Sequence, residues 1–379
     1  MPRVLQVSEA REWSGGTAQL LALSEGLRRR GWNVVIACRP GSGLEAHARK
    51  LGFAAFPAAL REDYDLCSAW RLARFIRAQG IGVVHAHHNR AHSVCLLAKL
   101  ILSWSGAAPA LVVSRRVSFA PGRNPFSRWK YGSALIDRIV AVADAVKEVL
   151  VRSGVPAGRI SVIRSGVDTD RFSPRPPDPA FQSSLGLPEG RALVGKIANV
   201  SPWKGQHVLL EAAALLVRRG RPAHFLFAGR DTDGAWLKSE VARLGLRDRV
   251  TLLGFCTNVP EIISCLAVSV NSAIRGEGLS GALRESLAMS VPVVASDVAG
   301  NRELLGAEGA RFLFPPGDAR ALAQRLEWAL DHPAEARAAA AAWRRRALPG
   351  FSLENTVGET DALYRELLRR KGTLGPGCS

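Results

Sequence analysis

Two carboxylates eight residues apart, Glu277 and Glu285, stand in the stretch SAIRGEGLSGALRESLAMSVPVVASDVAGNRE, residues 272–303. Residues 266–271 before them read as a buried strand. Gly278, Leu279, Ser280 and Gly281 form a loop, and an apolar helical pattern follows. The first amides of a helix are unpaired and carry partial positive charge, so this order suits an anion or ring hydroxyls. Glu277 falls at the loop mouth and Glu285 about one turn into the helix. Lys204 lies in the loop SPWKG, just before an apolar helix at 206–217. There an ammonium can meet a diphosphate as a point charge while helix amides hold other oxygens.

Stepping along the chain shows what positions these groups. In the second half, strand-like runs at 193–199, 225–228 and 250–253 precede the Glu277 segment. Their ends carry Lys196 and Asn199, then Gly229–Arg230, then GFCTNVPE with Phe255, Asn258 and Val259. Helical patterns at 319–330, 334–348 and 353–370 close the chain. The first half opens with an apolar run at 4–7 and a glycine pair, Gly15 and Gly16, before a helix starting near Thr17, where amides can approach a phosphate. Such a pair also serves simply to connect elements. Helices at 43–51, 67–79 and 91–103 alternate with strands at 33–37, 81–86, 111–114 and 139–142. Strands alternating with helices of ten or more residues imply parallel sheets, which bind ligands at the carboxyl ends of their strands.

One such end is HAHHNRAH, with His85 and His87 on one strand face and His88 and His92 a turn apart on the next helix. The divergent directions and the absence of a carboxylate between 81 and 100 argue against a metal. A phosphate-holding role and a merely structural strand end both stay open. Residues 114–131 interleave Arg115, Arg116, Arg123, Arg128 and Lys130 with Phe119, Phe126, Trp129 and Tyr131. That mixture suits an anionic lipid interface, a phosphorylated acceptor or a solvated loop. No nucleic-acid-binding motif accompanies it.

The pair Glu277/Glu285, the following AMSVPVVASDVAGNRE, the upstream GKIANVSPWKG and the linker VIRSGVDTDRF together resemble the retaining nucleotide-sugar glycosyltransferases of group 1 type. That group includes glycogen synthase-like and lipopolysaccharide-core enzymes. The resemblance implies the GT-B fold, an α/β architecture of two Rossmann-like doubly wound domains facing across a cleft. It divides the chain into an acceptor-side domain (1–165), a linker (166–191), a donor nucleotide-sugar domain (192–349) and a final helix crossing back (350–372). It also implies roles: Lys204 with the departing diphosphate, Glu277 on the sugar hydroxyls, Glu285 on the ribose, Phe255, Asn258 and Val259 at the base. Amides of Gly15, Gly16 and Gly278 to Gly281 hold oxygens, and His87 and Arg116 join the catalytic set. Three positions depart from the pattern. Asn199 replaces an arginine five residues before Lys204, with Lys196 or Arg230 able to substitute; Arg115 and Arg116 follow a strand that often ends in histidine; Ser290 replaces a glycine.

The resemblance implies sugar transfer with retention, by front-face attack in which the leaving phosphate takes the acceptor proton. Neither carboxylate is then a nucleophile of the glycosidase kind. Two D-x-D triplets, Asp168–Asp170 and Asp231–Asp233, read as incidental, because lysine and helix amides already carry the diphosphate charge. No cofactor or metal is expected. The alternatives are a sugar-nucleotide epimerase of the same architecture, which turns over without acceptor, and a catalytically silent nucleotide-sugar-binding scaffold.

Composition bounds this reading. The 379 residues suffice for two domains, and 47% hydrophobic with 22% charged residues excludes a disordered chain. No apolar run reaches the ~18 residues of a spanning helix, and the start turns polar too soon for a signal peptide. Six scattered cysteines without C-x-x-C spacing suggest reduced thiols. A cytosolic protein follows, in peripheral contact with the inner face of the membrane. Of the net charge of +18, residues 1–168 hold +13, from 24 Lys+Arg against 11 Asp+Glu. That excess points to an anionic glycan or glycolipid acceptor, such as a lipid-linked core oligosaccharide in cell-envelope assembly.

Overall fold

Short continuous apolar runs, each followed by a loop and a helix, set the element order throughout. The computed structural model describes residues 1–104, 106, 108–122 and 124–372, so Arg123 and Cys378 lie outside the described residues. Two compact units form. One is Met1–Gly166 with the chain from Leu353 onward; the other is Val167–Ser352.

Unit one runs β1 (Arg3–Ser8), α1 (Gly15–Arg29), β2 (Asn33–Cys38), α2 (Gly43–Lys50), β3 (Ala54–Pro57), α3 (Leu66–Ala78), β4 (Val83–Ala86), α4 (Asn89–Ser103), β5 (Ala110–Arg115), α5 (Pro125–Gly132), β6 (Arg138–Ala141), α6 (Asp144–Arg152) and β7 (Ile160–Val162). Its seven strands are all parallel, in the order β3-β2-β1-β4-β5-β6-β7. Strands covered on both faces read as near-continuous apolar runs, as β2 does, and as β1 does apart from Gln6. The half-exposed edge strand β3 lacks that signal and was not anticipated. Helix α1 begins two residues earlier than its apolar pattern suggests, because Ser14 and Thr17 form a capping box that fixes the start at Gly15. The glycine pair is therefore the helix's first turn. The final helix packs into this unit's core. Val357, Tyr364, Leu367 and Leu368 join Val4, Leu20, Leu27 and Trp32 there, and Trp32 Nε1 donates to Asp361 Oδ1 at 2.7 Å.

Unit two runs α7 (Pro179–Ser184), β8 (Ala192–Ile197), α8 (Gln206–Arg218), β9 (Ala223–Ala228), α9 (Ala235–Arg243), β10 (Val250–Leu252), α10 (Val259–Ser264), β11 (Val268–Asn271), α11 (Gly281–Ala288), β12 (Val293–Ser296), α12 (Ala299–Leu305), β13 (Leu313–Phe314), α13 (Ala319–Asp331) and α14 (Pro333–Ala347). The final helix, α15, is Leu353–Arg370. Six parallel strands follow the order β10-β9-β8-β11-β12-β13. Phe225, Phe227, Val268 and Val270 meet Val208, Leu216, Leu322 and Leu326 in its core. Residues 167–191, expected as linker, belong to this unit. Arg171 donates to Thr257 O at 3.2 Å, Arg175 meets Glu261 at 3.3 Å, and Asp178 caps α7 with Pro179 at its first turn.

In each sheet the strand order reverses once, between β1 and β4 and between β8 and β11. Loops leaving adjacent strands at such a point diverge to opposite faces and open a crevice beyond the carboxyl ends. Lys204 follows β8 and Glu277 follows β11. Among the described residues no helix is long and apolar enough to cross a membrane.

Candidate active site

Backbone contacts fix the two loops at the β8/β11 reversal against each other. Gly205 has φ +66°, and a Cβ there would lie 2.0 Å from Ser272 O, so only glycine lets the two main chains approach this closely. Ser272 Oγ donates to Gly205 O at 2.6 Å, and Ile274 N to Trp203 O at 2.8 Å. From α12, which follows the neighbouring strand β12, Gly300 presses on the Glu277 loop, where a Cβ would lie 2.1 Å from Gly278 O. Asn271 Nδ2 donates to Ser280 Oγ at 2.9 Å, and Ser280 caps α11. On this frame Lys204 Nζ meets Glu277 Oε2 at 2.7 Å. No side chain caps the start of α8, which follows Lys204 immediately.

Lys196, on β8, is 2% exposed. Burial pushes its ammonium down to about 7; Lys204 adds to the depression and Glu277 opposes it. Glu285 lies on α11, half-buried, and burial raises its carboxyl above the ordinary range against the pull of Arg284 and Arg171. Arg171 also holds the 254–259 loop, and α10 leads from that loop back to pack on α11. Phe255 and Asn258 on this loop are exposed and Val259 is half-buried. Asn199 has a structural task at the strand ends. Its Oδ1 accepts from Arg230 N at 3.0 Å and its main-chain oxygen from Gln206 Nε2 at 3.0 Å, so its carbonyl braces the ends of β8 and β9. A separate apolar pocket of about 350 Å³, lined in part by Leu287, Phe312 and Trp343, contains none of these groups.

The D-x-D triplets are turn chemistry. Asp168 Oδ1 accepts from the amides of Asp170 and Arg171, both at 3.1 Å. Thr232 is fully buried, donating to Gly229 O at 2.8 Å and accepting from Gly254 N at 3.0 Å, while Asp231 and Asp233 face solvent.

In unit one the β1/β4 reversal gathers Ser8, Glu9, the start of α1 and the histidines. For His87 a role on substrate phosphate and a structural strand end both stood open. It is 2% exposed and both ring nitrogens are occupied, Nε2 by Gln6 Oε1 at 2.6 Å and Nδ1 by Arg116 Nη2 at 3.3 Å. Arginine can only donate, so Nδ1 accepts and Nε2–H donates. Burial keeps this ring neutral, well below its ordinary range. His87 is thus a positioning residue: it orients Arg116, whose Nη1 reaches Ser165 Oγ at 3.2 Å and whose guanidinium burial pushes down to about 10. His85 is likewise spent, on Tyr364 and on Ser114 Oγ at 2.7 Å. His92 is buried beside Tyr131. His88, half-buried at the start of α4 and bonded to Ser8 Oγ at 2.9 Å, has its Nε2 3.4 Å from where a Cβ on Gly16 would stand. Sequence reasoning missed Gln6, Glu9 and Tyr364. Gln6 had a signal, a lone amide inside a buried apolar strand. Glu9 caps α4 by accepting from Arg90 N (3.1 Å) and Ala91 N (2.9 Å).

The basic–aromatic stretch also departs from expectation. Lys130 is 2% exposed and binds Asn89 O at 2.6 Å, Arg115 donates to Tyr131 OH at 2.8 Å, and Arg116 turns to His87. The exposed amphipathic surface instead joins Tyr64, Leu66 and Trp70 to Trp129 through Phe126. Arg74 lies 4.8 Å over the Trp70 ring, and Arg71 and Arg128 are exposed nearby in sequence.

Comparison with known proteins follows the same division. Residues 13–171 match the family described as Glycosyltransferase Family 4, and residues 178–346 match Glycosyl transferases group 1. The chain carries both domains. It is 32% identical over 247 residues to EpsD of Bacillus subtilis (strain 168), named as a glycosyltransferase, covering 63% of each chain. It is 30% identical over 216 residues to the lipopolysaccharide core biosynthesis mannosyltransferase LpsB of Rhizobium meliloti (strain 1021), covering 55% of this chain and 61% of LpsB. The chain thus spans less than two thirds of these relatives' length. Among solved structures, a glycosyltransferase from Rickettsia africae ESF-5 superposes with TM-score 0.85 at 20% identity, covering 97% of this chain and 99% of that one. Anabaena Alr3699/HepE, in complex with UDP and glucose, superposes with TM-score 0.82 at 19% identity, covering 97% and 100%. These likenesses fix the fold as GT-B.

Proposed function

We propose that the chain is a glycosyltransferase that moves a sugar from a nucleoside diphosphate to an acceptor hydroxyl, with retention, in cell-surface glycan assembly. The observation that carries this is the Lys204–Glu277 pair at the strand-order reversal of unit two, beside the uncapped start of α8. HepE's complex with UDP and glucose supports a nucleotide-sugar donor, and the likeness to LpsB supports an envelope product.

Paired at 2.7 Å, the cation and the acid neutralise each other. A donor exchanges that pair for two better-matched ones. Lys204 turns to the diphosphate, where charge grows as the anomeric carbon–phosphate bond breaks, and Glu277 accepts hydrogen bonds from the sugar hydroxyls. The amides from Gly278 to Gly281 hold further oxygens. Glu285 takes the ribose, whose hydroxyls favour its charged form, and Phe255, Asn258 and Val259 receive the base. The glycosidic bond forms on the face the diphosphate leaves, and the acceptor's proton passes to the leaving phosphate oxygen. With lysine and helix amides opposing the charge, no metal is required in this reading. Unit one has anion-seeking groups of its own in the amides at Gly15 and Gly16. The acceptor is an anionic glycan or glycolipid at an anionic membrane surface, met by the Tyr64, Leu66, Trp70 and Trp129 face.

The test is turnover of a panel of nucleotide sugars with and without lipid-linked oligosaccharide acceptors, reading anomeric configuration by NMR. Acceptor-dependent release of nucleoside diphosphate with a retained anomer supports the proposal. Turnover without acceptor that returns an epimerised donor supports the epimerase alternative instead.

A further inference from the structure

Lys196 is a lysine where a sheet core calls for an apolar residue. Its side chain leaves β8 on the face carrying Val194. Phe227 lies across from it on β9. On the other side β11 pairs with Val194 and Gly195 through Val268 and Ser269, so no ionisable group comes from that strand. The charged groups that reach it are Lys204 and Glu277, and these are already paired at 2.7 Å. Lys196 itself makes no hydrogen bond or ion pair among the described residues, although it is 2% exposed. A buried ammonium with no anion of its own, within electrostatic reach of Lys204 and Glu277, is built for an anion that arrives from outside.

We propose that Lys196 is a second cation of the diphosphate site, standing in for the guanidinium absent at Asn199, and that the ligand charges it. A nucleoside diphosphate seated beside Lys204 draws one proton from solvent onto Lys196 Nζ. The inference rests on reading Lys204 and Glu277 as the donor site.

In the ligand-free protein burial leaves Lys196 half-charged near pH 7 and mostly neutral at pH 8. Added phosphate charge in the same low-dielectric crevice favours the ammonium and raises its pKa. A group whose pKa is depressed in the free form and restored in the complex takes up protons on binding. Affinity is then flat below pH 7 and falls as pH rises above it.

The experiment is isothermal titration of the full chain with UDP, GDP and ADP at pH 8, in phosphate and in Tris buffer. The nucleotide that binds is expected to take up about 0.9 proton, read from the difference in enthalpy between buffers, and to weaken about eightfold from pH 7.5 to 8.5. Lys196→Arg, permanently charged, is expected to bind with no proton uptake and no pH slope over that range. Binding by the wild type without proton uptake overturns the inference, and so does uptake that persists in Lys196→Arg. If none of the three nucleotides binds, the donor-site reading fails and takes the inference with it. The two-buffer measurement on the wild type needs no variant, so it stands even where the arginine fails to fold.

Discussion

Replacing Lys196 by methionine keeps the length and apolar stem of the side chain and removes only the buried charge. In the unfolded chain lysine titrates near 10.5, whereas burial brings it to about 7 in the fold. The sign follows directly. Below pH 7 the folded protein holds a charged ammonium in its core and bears the full penalty. Between pH 7 and 10.5 the folded form is neutral and the penalty shrinks as pH rises. Above 10.5 it is gone. The separation corresponds to about 5 kcal/mol at its largest, an upper figure because water and side-chain rearrangement relax it. Lys196→Met is therefore expected to stabilise unit two by about 2 to 5 kcal/mol at pH 7 and by almost nothing at pH 10.5. For a unit of this size that is a rise in melting temperature of roughly 5 to 15 °C, read by calorimetry across that pH range. The same variant weakens nucleotide binding, so stability and function move in opposite directions. A loss of stability at pH 7, or a gain that does not change with pH, refutes the reasoning.

Two further outcomes can be checked with simple variants. Gly205→Ala places a methyl 2.0 Å from Ser272 O at φ +66°; it is expected to cost about 2 kcal/mol or more in urea unfolding and to displace Lys204 from Glu277. Wild-type stability in that variant would mean that the two loops are not locked together. Trp70→Ser with Trp129→Ser, at positions 52% and 38% exposed, is expected to reduce sedimentation with phosphatidylglycerol-containing vesicles at least fivefold, and raised salt is expected to weaken the wild type. Equal sedimentation of variant and wild type removes the membrane surface.

The sequence carried the sheet-by-sheet architecture because buried parallel strands are unbroken apolar runs and their helices are long. The edge strands β3, β7 and β13 escaped it, whereas the edge strand β10 was expected. β3 is half-exposed and β13 is two residues long, so neither leaves an apolar run. Lys204 and Glu277 were recognisable singly from their loops. Their pairing was not, since it depends on β8 lying beside β11 across 73 residues of chain. The burial of His87, which its sequence does not announce, has a physical cause. In HAHHNRAH every histidine looks alike, and what separates them is direction. His85 and His87 point into a buried network anchored by Gln6 and by Tyr364 from the last helix, while His88 stands at the start of α4. Arginine-rich stretches mislead in the same way. Arg115, Arg116 and Lys130 count as surface charge in a sequence, yet each has found an internal acceptor or ring.

The division of labour between Lys204 and Glu277 is tested most directly by titrating one nucleoside diphosphate and its sugar conjugate into wild type, Lys204→Met and Glu277→Gln. Loss of a charge-assisted contact is expected to weaken both ligands roughly 10- to 100-fold in Lys204→Met. Glu277→Gln is expected to weaken the sugar conjugate alone, and to leave the diphosphate unchanged or tighter because Lys204 is released from its partner. Wild-type affinity for both ligands in both variants would contradict the account.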